Sequence, residues 1–243
     1  MTILEVKNLT KNFEGVCAVN NLSLKIEDGL ITSIIGQNGS GKTTLVNILS
    51  GIVKMDKGKI ITKDKEVLEK IIPSKAPRYG ICRTFQNSRL FEQMTVLDNI
   101  LVILTERNIF KSIFEKDKII HLENAKKILQ KINLWEKKKE LAINLSYGQR
   151  KLLEIGRALA MDSEIILLDE PFAGLFPEMV KIVSAIIKEM KKDGKTIILI
   201  EHNMELIRAL SDYIFVMDEG RLLAEGEPAK VLENKKVIDA YLG

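Results

Sequence analysis

The stretch Gly36-Gln37-Asn38-Gly39-Ser40-Gly41-Lys42-Thr43-Thr44 constrains this chain more than any other. An apolar run, Leu30 to Ile35, leads into it, and an apolar-periodic segment, Leu45 to Leu49, follows. Strand, glycine-rich turn and helix in that order form the setting in which this spacing cradles phosphates. Glycines let the backbone curl so that successive N–H groups point into one concavity. The helix that begins near Gly41 adds the positive end of its dipole. Lys42 is a compact cation able to reach the outer phosphates. The Thr43 hydroxyl can ligate a magnesium ion, which keeps water and phosphate oxygens as most of its other ligands. The stretch therefore predicts a nucleotide-binding site.

A chain of 243 residues suits one large domain, or a domain with a sub-domain inserted in it. At this size roughly 70–75% of the unfolded surface is buried, so a full core needs no staples. The net charge of +4 is small, lysines spread from Lys7 to Lys236, and no basic block is interleaved with aromatics. That pattern describes a solvated surface and argues against a nucleic-acid stripe. Two cysteines, Cys17 and Cys82, lie far apart and show no metal spacing, which points to a reducing compartment. The start Met1-Thr2-Ile3-Leu4-Glu5 lacks the basic-then-apolar layout of a signal peptide. No apolar run nears the ~18 residues needed to span a bilayer. The expectation is a soluble protein whose membrane role, if any, comes through a partner.

Periodicity divides the chain. Ile3 to Leu9 and Val19 to Ile26 alternate as strands around a turn at Lys11–Gly15. After the phosphate loop a helix ends at Ser50-Gly51, and a short strand follows at Lys59–Thr62. Lys63 to Arg78 reads as a surface helix and loop broken by Pro73 and Pro77, and Tyr79 to Phe85 as a buried strand stopping at Gln86. From Asn87 to Arg157 the pattern is helical: Val96, Ile100, Ile103 and Leu104 share one face, and Ala125, Ile128, Leu129 and Ile132 another. Lys137-Lys138-Lys139 reads as a solvated turn. Strands at Ile165–Leu168 and Thr196–Ile200 then alternate with helices opening at Pro177 and Met204. A hairpin around Asp218–Arg221 and a helical tail from Pro228 to Leu242 close the chain. Short apolar strands separated by helices imply a mostly parallel, covered sheet, with antiparallel strands added by the leading meander. The helical block interrupts this sheet, giving a nucleotide-binding core over 1–86 and 158–243 and a helical sub-domain over 87–157.

Three further stretches carry chemistry. Asp169-Glu170 ends an apolar strand, at the edge where open α/β sheets bind ligands. Asp169 can hold magnesium through water, and Glu170 can act as general base on an attacking water. His202 ends the next strand and can sense the γ-phosphate. In Leu145-Ser146-Tyr147-Gly148-Gln149, Ser146 and the amides of Tyr147 and Gly148 make either a second phosphate-binding helix start or an ordinary N-cap. His121 is assigned to the surface.

These motifs occur in the order found in the ATP-binding subunits of ABC transporters, and nearly the full length of the chain resembles that family. Gly36–Thr44 matches its Walker A loop, Gln86 its Q-loop, Leu145–Gln149 its signature, Ile165–Glu170 its Walker B strand, Ala173–Phe176 its D-loop and His202 its switch histidine. The resemblance implies a P-loop NTPase fold: a RecA-like mixed sheet with an antiparallel β subdomain and an inserted helical subdomain. It implies ATP and Mg2+ as ligands, Lys42, Gln86, Glu170 and His202 as catalytic residues, and Thr43, Gln86 and Asp169 at the metal. It also implies a head-to-tail dimer with an identical or paralogous ATPase. Ser146, Gly148 and Gln149 of one subunit would then close on the nucleotide held by the other. Phe13 matches the aromatic that stacks on adenine; the alternative is a packed turn residue.

Finer detail resembles the branched-chain amino-acid importer ATPases: Arg83-Thr84-Phe85-Gln86-Asn87, Leu90-Phe91, Met94–Asn99, the tyrosine of the signature, Glu201-His202 and the ending Val237–Gly243. That implies integral membrane subunits docked on the loop Gln86–Asp98 and an extracytoplasmic solute-binding protein, with this chain at the cytoplasmic face and no nucleic-acid partner. Leu90, Phe91 and Met94 would line the docking groove or else belong to the sub-domain core. Two departures stand out. Phe176 replaces the usual Asn or Asp of the D-loop, and Asn203 follows the histidine where Asp is commoner. An exporter ATPase, a soluble non-transport ABC ATPase and a non-hydrolysing nucleotide module are the other readings. One cassette without sustained heptads argues against the soluble ATPase, and intact Glu170 and His202 argue against the non-hydrolysing module.

Overall fold

Three strands of this chain have no polar face. Every residue of Ile31–Ile35, Ile165–Asp169 and Thr196–Ile200 is buried, so each must be covered on both sides. The computed structural model of the chain describes residues 1–84, 89–106 and 115–242. Its strands are β1 Thr2–Phe13, β2 Val16–Glu27, β3 Ile31–Ile35, β4 Lys57–Thr62, β5 Val67–Leu68, β6 Ile81–Arg83, β7 Ile165–Asp169, β8 Thr196–Ile200, β9 Tyr213–Asp218 and β10 Arg221–Gly226. Its α-helices are α1 Lys42–Leu49, α2 Val96–Glu106, α3 Glu115–Lys131, α4 Tyr147–Ala160, α5 Pro177–Lys192, α6 Met204–Leu210, α7 Pro228–Val231 and α8 Lys235–Leu242.

The strands form two sheets. One is antiparallel, in the order β2-β1-β4-β5; the other runs β10-β9-β3-β8-β7-β6. In the second sheet β9, β3, β8, β7 and β6 are parallel, and only β10 is antiparallel, as the hairpin partner of β9. This is the mixed sheet with an antiparallel β subdomain that the motif order implied.

The chain divides into two compact units: Met1–Arg83 with Glu164–Glu170 and Lys188–Gly243, and Thr84–Ser163 with Pro171–Ile187. In the first unit Leu4, Leu9, Leu22 and Ile26 of the antiparallel sheet share one core with Leu45, Ile48 and Leu49 of α1 and with Ile34, Ile198 and Phe215 of the mixed sheet. The helix after the phosphate loop is thus fixed by apolar side chains, each worth roughly 1.5–3 kcal/mol when fully buried. A second core cluster, including Ile35, Ile207, Val216 and Val237, gathers residues of β3, α6, β9 and α8. In the other unit α2, α3 and α4 pack on one another. Val96, Ile100, Ala125, Leu129 and Ile132 are buried there, along the faces that periodicity marked, as are Leu152 and Ile155 of α4.

Some local expectations need correction. The turn expected at Lys11–Gly15 shrinks to Glu14 and Gly15, both at positive φ, because β1 and β2 pair as far as Phe13↔Val16. Two such residues make a tight hairpin whose twist matches the strands. No α-helix forms over Lys63–Arg78. Leu68 reaches the core and lets Val67–Leu68 pair with β4, and the prolines leave only a 3-10 turn at Pro73–Tyr79. Lys137 and Lys138 are half-buried, not fully solvated: Lys138 lies over the Trp135 ring at 4.3 Å and Lys137 pairs with Glu140. The closing tail is two short helices, and His121 is half-buried. Phe85, Gln86 and Asn87 lie outside the described residues, as does Gly243.

The entry of β3 is held by one side chain. Asp212 accepts from the Ile31 amide through Oδ2 at 2.9 Å and from Lys191 Nζ through Oδ1 at 2.6 Å. Asp212→Ala is expected to lower the unfolding free energy by about 1–3 kcal/mol, since it strands a strand amide. Asp212→Asn, which can keep that acceptor, is expected to lose less. Urea titration of the two variants checks the order; equal losses would contradict it.

Candidate nucleotide site

β3 delivers the chain into a turn with no space for side chains. A Cβ on Gly36 would stand 2.2 Å from the Met217 carbonyl oxygen, and one on Gly41 2.3 Å from that of Ala18. Gly41 also sits at φ +97°, a left-handed conformation that disfavours any other residue. The loop is clasped from outside: the Gly220 amide donates to the Ser40 carbonyl at 3.1 Å, and the Asn20 amide to that of Gly220 at 2.8 Å. The Gln37 side-chain amide donates to the Ala240 carbonyl of α8.

α1 then starts at Lys42 with no side chain capping its first turn. In contrast, α4 is capped by Ser146 and α6 by Asn203. Uncapped amides at a helix start are donors in want of an anion. Lys42 is buried, and its ammonium turns back to donate to the Gly36 and Gln37 carbonyls, each at 2.8 Å, with Ser40 Oγ at 3.4 Å. Burial pushes its pKa down from the usual lysine value, while the nearby carboxylates of Glu170 and Asp169 pull it up. A cleft of about 490 Å3 opens over these groups. Asn38, Gly39, Gly41, Lys42, Thr43 and Thr44 line it from the loop, Glu170 and His202 from the ends of β7 and β8, and Val16, Cys17 and Ala18 from β2. A larger cleft of about 560 Å3 lies along β1 and β2, but its Glu5 is paired with Lys7 and Lys25 and it has no amide cradle.

Glu170 stands at φ +48°, in the left-handed region, with its amide donating to the Ile200 carbonyl at 3.1 Å. Its Oε1 is 2.8 Å from His202 Nε2. The buried Glu201 holds the histidine's backbone, accepting from the amides of His202 at 2.8 Å and Asn203 at 3.0 Å. Asn203 caps α6 through the Glu205 and Leu206 amides, which an aspartate would do equally, so this departure costs little. Asp169 is buried and paired with Arg83 at 2.7 Å. Thr43 is exposed at the cleft. The described residues contain no cluster of three His, Cys, Asp or Glu able to hold a metal. A hydroxyl and a lone carboxylate are hard oxygen donors and fit magnesium, which takes its remaining ligands from phosphate and water.

Phe13, at the end of β1, is 44% exposed and not a packed turn residue; Lys11 Nζ lies 5.1 Å from its ring centroid. In the helical unit Ser146 and Gln149 form a reciprocal capping box at the start of α4, with Gly148 in the first turn. The Tyr147 hydroxyl donates to the Ala173 carbonyl at 3.2 Å, joining the signature to the D-loop. Phe176 supplies its carbonyl to the Met179 and Val180 amides, and the residue is 77% exposed. Phe91 and Met94 are exposed, so these two side chains are not sub-domain core, while Leu90 is half-buried. Gln86 lies outside the described residues. Sequence reading missed the Glu170–His202 contact, the Tyr147–Ala173 bond and the pairing of Arg83 with Asp169. Only the last left a signal, an arginine inside a buried apolar strand.

A family model described as ABC transporter matches residues 19–173, and one described as branched-chain amino acid ATP-binding cassette transporter matches residues 221–243. The chain is 39% identical to a probable branched-chain amino acid transport ATP-binding protein, LivG, of Archaeoglobus fulgidus, covering 100% of this chain and 96% of that protein. It is also 39% identical to the high-affinity branched-chain amino acid transport ATP-binding protein BraF of Pseudomonas aeruginosa, covering 99% and 98%. Among solved structures, a nucleotide-free ATP-binding cassette from an ABC transporter superposes with a TM-score of 0.87 at 35% identity over both full chains. Another, in its ADP conformation, gives 0.85 at 33%, covering 100% of this chain and 99% of that one. A dimeric cassette bound to ADP and phosphate gives 0.80 at 25%, covering 93% and 99%.

Gly41→Ala is expected to weaken ATP binding at least about tenfold, since the added methyl must displace the Ala18 carbonyl or open the loop, at a cost of roughly 1–3 kcal/mol. Titration with a fluorescent ATP analogue measures this; affinity within twofold of the parent would contradict it.

Proposed function

The chain belongs to the ABC transporter family of ATP-binding cassettes and is an ABC importer ATPase; from that premise we propose that it powers import of branched-chain or similar amino acids. The observation that carries the hydrolytic part is the cleft itself, where the phosphate loop, the Glu170 carboxylate and the His202 ring converge. The amino-acid transport part is supported by the match of segment 221–243 and by the names of the full-length relatives, which are branched-chain amino acid transport ATP-binding proteins.

The residues divide the work as follows. The loop amides and the Lys42 ammonium receive the β- and γ-phosphates, and the carbonyls that Lys42 now contacts release it to them. Thr43 and, through water, Asp169 would hold magnesium, with Gln86 as a further contact; when bound, the ion neutralises charge on the phosphate oxygens. With Glu170 ionised, its Oε1 accepts, so the hydrogen of the shared contact lies on His202 Nε2. The histidine thereby helps to fix the carboxylate, which can take a proton from a water aligned with the γ-phosphate. Phe13 offers an exposed ring to adenine, with a cation already against it.

A second ATPase subunit, identical or paralogous, completes the site. Ser146 Oγ accepts from the Gln149 amide, which leaves its own hydrogen to donate to the partner's γ-phosphate alongside the Gly148 amide. The exposed Phe91 and Met94 and the neighbouring Leu90, in the segment after Gln86, offer an apolar edge to a membrane subunit. No helix among the described residues is long and apolar enough to cross a membrane. In the proposed transporter the chain acts at the cytoplasmic face, held there by its membrane subunits. A solute-binding protein on the other side would select the cargo.

Glu170→Gln is expected to lower ATP turnover by about 10²–10⁴-fold, the usual worth of a positioned base. With ATP it should elute from gel filtration as a dimer. In proteoliposomes holding the co-purified complex, ATP inside should drive uptake of labelled leucine, and the variant complex should not. ATP-dependent uptake of an unrelated solute but not of leucine, isoleucine or valine would refute the cargo assignment.

A further inference from the structure

β6 ends at Arg83, on the strand beside the one that carries Asp169, in parallel register with Arg83 opposite Leu167. The Arg83 side chain is only 7% exposed, yet its guanidinium serves two elements at once. Nη2 donates to Asp169 Oδ2 at 2.7 Å. Nη1 donates to Asn47 Oδ1 at 2.6 Å and to Ser50 Oγ at 2.9 Å. Ser50 Oγ spends its own hydrogen on the Val46 carbonyl at 2.8 Å, so it meets the arginine as an acceptor. Asn47 lies in α1 and Ser50 is its C-cap, on the helix whose first turn presents Lys42 and Thr43.

We infer that Arg83 is a positioning residue for the metal: it locks Asp169 to the phosphate-loop helix, so that Asp169 and Thr43 meet magnesium as one rigid frame. The inference rests on the reading of Asp169 as a magnesium residue. Arg83 takes one oxygen of the carboxylate, and Oδ1 accepts no hydrogen bond among the described residues, which leaves it for metal-bound water. A planar guanidinium can hold two elements in a fixed relation, whereas an ammonium acts as a point charge. Two effects oppose each other when Arg83 is removed. Losing a neighbouring cation strengthens the attraction of Asp169 for magnesium, and losing its anchor lets the carboxylate turn away. A ligand that acts through water depends on direction, and partners behind metal ligands are typically worth 10–100-fold in metal affinity, so the second effect dominates.

The test compares ATP affinity in excess Mg2+ with ATP affinity in EDTA on the full chain, and adds Mn2+ titration by electron paramagnetic resonance. Arg83→Met is expected to reduce the magnesium-dependent gain at least about tenfold, to weaken Mn2+ binding in parallel, and to leave affinity in EDTA within twofold. An unchanged or larger gain would overturn the inference, as would an equal loss in EDTA, which would mark a purely structural role. If circular dichroism shows Arg83→Met unfolded, the double variant Asn47→Ala/Ser50→Ala decides: it keeps the ion pair, removes both side-chain anchors on α1, and should cost about threefold or more of the gain. An unchanged gain there would overturn the inference too. Asp169→Asn separates the premise from the inference. If it leaves the gain intact, the reading of Asp169 fails; if it abolishes the gain while both other variants keep it, only the role of Arg83 fails.

Discussion

A backbone turn without room for a side chain governs this molecule. At Gly36 and Gly41 the chain passes so close to the carbonyls of Met217 and Ala18 that a single added carbon would overlap them. Those carbonyls belong to strands of different sheets, and neither can yield, because the residues around them share one buried core. The glycine loop is conformationally expensive to order. The all-buried β3 before it and the packed α1 after it supply the constraint that orders it. The consequence reaches the chemistry. Lys42 already points into the concavity and its hydrogen bonds are satisfied by the loop's own carbonyls, so an arriving phosphate exchanges partners instead of building the site.

The same economy appears where β7 ends. A glutamate in the left-handed region costs of order 1–3 kcal/mol and survives only where its surroundings over-determine it. At Glu170 they do: the amide is tied to Ile200, the carboxylate meets His202, and the buried Glu201 fixes the backbone on which the histidine rides. Three consecutive polar residues at the end of β8 thus have separate duties. Glu201 holds the turn, His202 meets Glu170, and Asn203 starts the next helix.

What the sequence revealed follows from how each feature is encoded. The phosphate loop, the Asp169-Glu170 strand end and His202 are local patterns in which residue type and neighbours fix conformation, and the loop, Glu170 and His202 converge on one cleft. The helical block was legible because Val96, Ile100, Ala125 and Leu129 recur at helical spacing and are buried. Contacts between distant segments left no such trace. Tyr147 reaching Ala173 and Arg83 reaching Asp169 depend on which strands and turns become neighbours, and no periodicity states that. The strand at Val67–Leu68 failed for a related reason. Two residues are too few to show alternation, and what makes them a strand is β4 beside them.

The cleft of one subunit is better suited to holding a nucleotide than to splitting it. Two unit charges 4 Å apart attract by about 1 kcal/mol in water and by about 4 kcal/mol at an effective dielectric of 20. Lys42 is buried, but Asn38, Gly39 and Thr43 on the same loop are exposed, so water keeps the phosphate side near the weaker limit. In the proposed dimer the partner's capped α4 and D-loop would exclude that water, and the D-loop residue decides the character of the closure. An asparagine there would add a directed hydrogen bond, worth a net ~0.5–1.5 kcal/mol. The exposed Phe176 ring has no direction to impose, yet burying it is worth roughly 1.5–3 kcal/mol. The substitution therefore exchanges an exacting contact for a stronger, more forgiving one. In the proposed dimer it would favour ready closure on ATP and leave the geometry of the attack to the proposed pair Glu170 and His202, already in contact within one subunit.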